Sequence, residues 1–243
     1  MCARPEYEKK VSLIHNFIRM KKIHAVCILC FLLVLSIPAV AQEFAKVHEG
    51  KIIYDISYPD AELDQQTMAM LPDESVMYFK DEKGRVEIKM AFGSTVILMD
   101  NEKKENVMLM DMMGKKTATV ITETDLKKEK EKQAKPEVKL LDDTKQVAGF
   151  LCHKAVVTMK GKESDITFDV WYTRELPARN SLSSRFEGVD GLMLEYVIYQ
   201  RGMNMKFSAR SFEPIKVDDD LFVIPEGYEK KTMQEIIKPA EGK

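Results

Sequence analysis

Short runs in which apolar and polar residues alternate are the feature that most constrains the fold of this chain. Between Arg85 and Met90 every second residue is apolar, and Lys51 to Tyr58 follows a similar pattern. Successive side chains of a β-strand point to opposite faces, so a period of two is typical of half-buried strands. The sequence therefore predicts about ten strands. The remaining candidates are Glu74–Lys80, Ser94–Asp100, Asn106–Met113, Lys115–Glu123, Val138–Leu141, Ala155–Met159, Ile166–Thr173, Leu192–Gln200 and Met203–Ser211.

The turns between these runs and their spacing predict an antiparallel arrangement. Asp81 to Gly84 is a hairpin signal, and Gly114 separates two further runs. Strands at intervals of about 8–12 residues favour a sandwich or an incompletely closed barrel. Pro59 to Leu71 predicts a short helix that crosses over the sheet, and a weakly amphipathic stretch around Met233 follows the last strand.

The first 41 residues predict a cleaved signal peptide. Lys21 and Lys22 precede an apolar run from Ile23 to Ile37, and the small-residue pattern Ala39-Val40-Ala41 follows. Met20 opens a signal peptide of conventional length, so it is an alternative start of translation. An uncleaved membrane anchor is the other interpretation of the apolar run. We expect cleavage after Ala41 and a periplasmic or otherwise exported protein.

Residues 42–243 are expected to form one domain. Asp125 to Glu137 is dense in charged residues, which is typical of a solvated linker or a frayed helix. A charged docking tail is the functional alternative. Because the segment separates runs of similar strand character, we interpret it as an insertion at 125–137 rather than a boundary between two small domains.

Composition and motifs argue against several classes of function. The chain has 37 Lys and Arg against 39 Asp and Glu. This balance is typical of neither a basic nucleic-acid-binding protein nor a disordered acidic tail. The sequence contains no G-x-S-x-G elbow, no glycine-rich phosphate loop and no H-E-x-x-H motif. We therefore expect a protein that is not an enzyme, holds no cofactor and binds no nucleic acid.

Cys152-His153 and two acidic runs come closest to a chemical site. On a strand, Cys152 and His153 point to opposite faces, so we expect a buried thiol beside an exposed imidazole; a redox or metal role is the alternative. Cys152 is the only cysteine after residue 41, which leaves it without an intramolecular disulfide partner. We interpret Asp142-Asp143 and Asp218-Asp219-Asp220 as turn and cap residues rather than metal ligands.

Methionine is unusually frequent, with 16 residues in the chain. Met108, Met110 and Met112 would project from one face of a strand and form a stripe of flexible side chains. Three interpretations remain open: filling of the core, an adaptable lining for an apolar ligand, and a thioether site for Cu(I). Met68 and Met70 weaken the copper interpretation, since residues two apart on a helix diverge.

Several segments carry a resemblance that extends over residues 49–228. In these segments the chain resembles exported Bacteroidota proteins of unknown function, including the GLPGLI-type proteins and a related domain-of-unknown-function group. The segments are Glu49–Tyr54 (EGKIIY), Gly149–Ala155 (GFLCHKA), Val170–Pro177 (VWYTRELP), Gly188–Glu195 (GVDGLMLE) and Phe222–Tyr228 (FVIPEGY).

Those families look like relatives of the periplasmic lipoprotein carriers and their outer-membrane acceptors. The resemblance implies a mainly β (α+β) fold, a curved open antiparallel half-barrel with a few covering helices, whose cavity binds acyl chains. We therefore expect a lipid or acyl-chain ligand in the concave face, and the alternative is an envelope module that binds a partner protein. The candidate lining residues are Met108, Met110, Met112, Trp171, Tyr196 and Met205.

Overall fold

The computed structural model describes residues 47–132, 135–161, 165–177, 186, 188–200 and 202–237. All of them belong to one compact unit, Lys46–Lys243. The predicted signal peptide at residues 1–41 and the alternative start at Met20 lie outside the described residues. Every helix in the described ranges is too short or too polar to serve as a transmembrane span.

Most of the described chain is β-strand, and its few helices are short. The helices are α1 (Gln65–Met68), α2 (Glu123–Lys132) and α3 (Met233–Ile237), with a 3₁₀ turn at Asp219–Phe222. The strands are β1 (Glu49–Ser57), β2 (Glu74–Lys80), β3 (Lys83–Met90), β4 (Gly93–Asp100), β5 (Glu105–Met112), β6 (Lys115–Ile121), β7 (Glu137–Val147), β8 (Phe150–Met159), β9 (Ile166–Thr173), β10 (Leu192–Gln200), β11 (Met203–Glu213) and β12 (Glu229–Thr232).

The twelve strands form one sheet in the order β12-β6-β5-β4-β3-β2-β1-β11-β10-β9-β8-β7. Every neighbouring pair is antiparallel except β12 and β6, which run parallel. The two edges, β7 and β12, do not pair with each other, so the sheet is open. The predicted mainly β, open antiparallel fold is therefore confirmed.

Aromatic contacts show that the sheet is strongly curved. Phe150 on β8 and Phe212 on β11 have ring centroids 5.1 Å apart, although β9 and β10 lie between their strands. In a flat sheet, three strand spacings of about 4.8 Å would separate them by about 14 Å. The sheet therefore curls, and the face that carries Phe212 is the concave one.

The strand register defines the two faces. We call the concave face, which carries Phe212 and its register partner Ile52, the inner face. Paired residues on neighbouring strands share a face, so one row can be followed across the sheet. This row is Ile52, Met77, Val86, Ile97, Met108 and Thr119, one residue from each strand from β1 to β6.

The outer face of β2 to β6 is crossed by residues 214–228, which we call the C-terminal strap. The Lys80 ammonium donates to the Val217 carbonyl, and the Arg85 guanidinium donates to the Leu221 carbonyl at 2.8 Å. Further along, two strap residues pack on a second buried cluster. These are Ile224 and Tyr228, which contact the group formed by Val96, Leu98, Val107, Leu109 and Ala118. The crossing brings β12 to the far edge in the same direction as β6.

The predictions for the charged insertion and for Asp218 agree with the structure, whereas β12 was not predicted. The charged insertion contains a helix, α2, as the frayed-helix interpretation expected. Asp218 caps the 3₁₀ turn by accepting the backbone N–H of Asp220 at 3.1 Å, which confirms its predicted role. The charged strand β12 was not predicted, because Glu229–Thr232 has no alternating apolar residues and is held only by its pairing with β6.

The prediction of a turn at Asp142-Asp143 is wrong. Both residues lie within β7, a strand much longer than the predicted Val138–Leu141. The register between β7 and β8 shifts between Leu140 and Thr144, so the two aspartates occupy a bulge where pairing is interrupted. Acidic residues at a bulge on an edge strand discourage pairing with another chain, so polar composition does not imply a turn here.

Candidate functional site

The methionine stripe of β5 lies on the inner face and belongs to neither buried cluster. One is the cluster beneath the strap, and the other is the main core of the protein, which includes Ile52, Met77 and Phe207. The neighbours of the stripe on β5, Val107 and Leu109, point to the outer face and are buried beneath the strap. Met108 and Met110 are half-buried, and Met112 is 42% exposed. Core filling therefore does not describe these three residues, because none of them is a member of either buried cluster.

Neighbouring strands extend the stripe into an apolar surface. Val86 and Ile97 lie in the same row as Met108, while Ile88 lies in the row of Met110. All of these side chains are only partly buried, and Val86, Ile88 and Ile97 also pack against the edge of the main core. We call this group the methionine surface. It consists of Val86, Ile88 and Met90 on β3, Ile97 on β4, and Met108, Met110 and Met112 on β5.

A glycine allows the close packing at the end of this surface. Gly93 begins β4 directly opposite Met112. A Cβ atom at Gly93 would lie 2.9 Å from the Met112 sulfur and 2.0 Å from the carbonyl oxygen of Asp111. Such distances are far shorter than van der Waals contact, so only glycine permits Met112 to lie across this position.

Threonines border the methionine surface on β4 and β6. Thr95 lies between Ile88 and Met110, and Thr119 follows Met108 in its row. Thr119 is fully buried, and its hydroxyl has no hydrogen-bond partner in the described part of the chain. A buried hydroxyl without a hydrogen bond is unfavourable. Thr119 therefore places an unsatisfied polar group at the border of the methionine surface.

Tyr196 and Met205 lie elsewhere on the inner face. The Tyr196 ring stacks on Phe207 with centroids 4.9 Å apart and meets the edge of Tyr54 at 6.0 Å. Met205 is opposite Ile198 and packs against the main core. Because β10 and β11 are separated from β5 by four or more strands, these two residues belong to the core rather than to the methionine surface.

Trp171 lies on the outer face. The Lys145 ammonium sits 4.4 Å from the Trp171 ring centroid and donates to the Glu195 carboxylate at 2.7 Å. A second cation, Lys154, lies 5.7 Å from the same ring and pairs with Asp169. The structure thus distributes the six predicted lining residues over three places, and only the three methionines of β5 share one surface.

Cys152 has the inert character predicted for it. The side chain is fully buried, and burial, aided by the nearby Glu195 carboxylate, raises the pKa of the thiol to about 11. The His153 ring instead lies 5.9 Å from the Tyr172 ring and is half-buried rather than exposed. In the described ranges, no three His, Cys, Asp or Glu side chains are grouped as they would be to hold a metal. The Cu(I) interpretation of the methionines stays a hypothesis.

A cleft of about 260 Å³ lies at the ends of β6 and β12 and was not predicted from the sequence. Thr122 and Asp125 cap the start of α2 reciprocally, and Thr232 and Glu235 do the same for α3. The T-x-x-D and T-x-x-E spacing is a capping-box signal that could have located both helices. The Asp125 and Glu235 carboxylates already accept hydrogen bonds from backbone N–H groups at the two helix starts. Fewer N–H groups are therefore available to bind an anion in the cleft. The cleft is lined by Val120, Thr122, Thr124, Asp125, Lys128, Thr232 and Gln234.

Comparison with known proteins gives one family. The family model described as "N-glycanase peptide, N-terminal domain" matches residues 52–232. The matched range begins within β1 and ends with β12, so it includes most of β1, all the other strands and the C-terminal strap. A search of curated proteins found no match. The resemblance to GLPGLI-type proteins stays a prediction.

Proposed function

We propose a binding function for this chain, which belongs to the N-glycanase peptide N-terminal domain family. In this proposal, the methionine surface binds an aliphatic chain, such as the acyl chain of a lipid. One observation carries the proposal: seven partly exposed apolar side chains, three of which border the main core, lie together on the concave face of three adjacent strands. In a protein that bound nothing there, the curvature of the sheet would enclose a poorly packed apolar surface.

The chemistry of methionine suits an aliphatic ligand. Its unbranched, polarizable side chain adapts to the shape of what it contacts, so one surface can accept chains of different length. Met108 and Met112 are separated by about 14 Å along β5, at about 3.4 Å per residue. Each methylene group that leaves water on this surface contributes about 0.8 kcal/mol. A chain of several methylenes lying along β5 would therefore bind usefully.

The same proposal includes export and the absence of catalysis. The signal-like pattern of residues 1–41 supports delivery across a membrane. The buried, protonated Cys152 supports a role other than nucleophilic chemistry, since the thiolate is the reactive form. The matching family is described as an N-terminal domain, which is compatible with a module that binds rather than catalyses.

A titration of the full chain with a fluorescent analogue of hexadecanoic acid, in the absence of vesicles, tests this function. We expect Met110→Ser to weaken binding by about 5- to 10-fold, because it removes apolar contact from the centre of the surface. Met113→Ser is the matched control, since Met113 lies in a turn and is 88% exposed. No uptake by a folded protein, or equal effects of the two variants, would overturn the proposal.

A second candidate is an interaction module that reports the state of the envelope through a partner protein. The edge strand β7 favours it, because Leu140 on this strand is 47% exposed and offers an apolar side-chain contact, while the bulge at Asp142-Asp143 discourages pairing of the strand itself. Cross-linking followed by capture would support this candidate if one partner were recovered in stoichiometric amount and independently of added lipid. Loss of that partner on lipid addition would favour the first candidate.

A further inference from the structure

Two neighbouring turns at the end of the methionine surface expose large apolar side chains to water. Phe92, in the turn between β3 and β4, is 61% exposed, and Met113, in the turn between β5 and β6, is 88% exposed. The backbone N–H of Met113 donates to the Phe92 carbonyl at 3.1 Å, so the turns are held side by side. We call Phe92, Met113 and the adjoining Met112 the apolar tip.

The backbone at the apolar tip is tightly constrained. The Met113 turn is a two-residue hairpin closed by the pairing of Met112 with Lys115. Its two residues have left-handed φ angles, +53° at Met113 and +83° at Gly114. Asn, Asp or Gly would suit the first position better than a long apolar side chain. Neither turn geometry nor burial accounts for methionine here, which points to a role outside the folded monomer.

The charges beside the apolar tip are mainly positive. Four charged residues lie within two positions of either turn, and three of them are lysines. Lys89, Lys115 and Lys116 are exposed, whereas the single acidic residue, Asp111, is half-buried and pairs in register with Lys116. The combination of apolar turn residues with three exposed lysines is complementary to a surface that is apolar inside and anionic outside.

We propose that the apolar tip docks on an anionic lipid bilayer, with Phe92 and Met113 inserted among the headgroups. Apolar side chains that reach the interface and lysines that meet anionic lipids act together in peripheral binding. A protein partner fits less well, because a stable interface buries about 800 Å² on each side and the tip offers only a few side chains. Met112 connects the tip to Met110 and Met108. If the proposed acyl-chain binding holds, the bilayer is therefore the source of the ligand.

Fluorescence of a tryptophan placed in the tip tests the docking directly. The full chain carrying Phe92→Trp and Trp171→Phe has its only tryptophan at this position. We expect a blue shift and quenching by brominated lipids with vesicles of phosphatidylcholine and phosphatidylglycerol, and neither with phosphatidylcholine alone. High salt should reduce the effect, because it screens the lysines. An unshifted, unquenched spectrum with anionic vesicles would overturn the proposal, and it would do so even if residues 1–41 bound the vesicles.

Sedimentation with the same vesicles provides the variant series. We expect the double variant Phe92→Ser and Met113→Ser to lower the bound fraction at least several-fold, and Lys115→Glu with Lys116→Glu to abolish the preference for anionic lipid. Val223→Ser is the matched control, since Val223 is 54% exposed on the strap. Recovery of a stoichiometric protein through the tip without vesicle binding would assign the surface to a protein instead. The tip variants should still bind fatty acid in solution, because they leave the methionine surface unchanged. The experiments can therefore contradict membrane docking and acyl-chain binding independently of each other.

Discussion

The Tyr54 hydroxyl on β1 donates a hydrogen bond to the backbone carbonyl of Met193 on β10, with a donor–acceptor distance of 3.0 Å. The whole of β11 lies between these two strands. A side chain can span two strand spacings in this way only if the sheet curves toward it. This bond therefore lies inside the concavity and helps to hold the curvature that shapes the inner face.

Removal of the Tyr54 hydroxyl should lower stability. We expect Tyr54→Phe to lower the free energy of unfolding by about 1–2 kcal/mol, because it weakens the hydrogen bonding of a buried carbonyl. Urea denaturation measures the change. Tyr78→Phe is the control, since Tyr78 is half-buried and no hydrogen bond of its hydroxyl is seen in the described part of the structure. Similar losses in both variants would show that the bond contributes little.

Replacement of Thr119 by valine should raise stability. The hydroxyl of Thr119 is buried without a partner, and valine has nearly the same shape without the polar atom. We expect Thr119→Val to raise the free energy of unfolding by about 1 kcal/mol. Thr95→Val, on the same face but only partly buried, should change it less. If Thr119→Val destabilises the protein, the hydroxyl has a partner in solution, and a crystal structure of the variant would then reveal it.

The buried thiol predicts a dependence of stability on alkaline pH. Burial raises the pKa of Cys152 from 9.0 to about 11 in the folded state. The folded state therefore binds the proton more tightly, and this contribution is complete below pH 9 and lost as pH rises from 9 to 11. Between pH 8 and 10 it should lower the free energy of unfolding by about 1 kcal/mol.

Comparison with Cys152→Ala isolates this contribution, because other groups also titrate above pH 8. The variant should be less stable at pH 7 but should lose less stability between pH 8 and 10. Alkylation of the wild-type protein at pH 8 should proceed only as fast as the protein opens, since the thiol is both buried and protonated. Rapid alkylation of the folded protein would contradict the assigned burial of Cys152.

The C-terminal strap should open more readily than the rest of the sheet when its apolar contact is shortened. Ile224→Ala removes part of the packing on the outer-face cluster. We expect amide exchange in residues 217–228 to accelerate by about 5- to 10-fold, which corresponds to about 1 kcal/mol. Exchange in β8–β10 should not change. The neighbouring substitution Val223→Ala should have little effect, since Val223 is 54% exposed. A uniform acceleration would instead indicate that the strap unfolds together with the sheet.

Local patterns predicted the strands well where both faces have distinct polarity. The alternation of Arg85 to Met90 is found within β3, and the inert Cys152 follows from its position on a strand. Local sequence patterns did not predict the structure where only pairing with a neighbouring strand determines it. The charged β12 is held by β6, and Asp142-Asp143 lies in a bulge whose register depends on the opposite strand.

The sequence by itself determined that Met108, Met110 and Met112 share one side of a strand, because the period of a β-strand is two. It could not determine which side is covered. Only the tertiary structure decided that, because the strap comes from more than 100 residues further along the chain and covers Val107 and Leu109 on the outer face. Both sides of β5 are apolar enough to be buried. The path of a distant segment, rather than local hydrophobicity, therefore left the methionines facing the concavity.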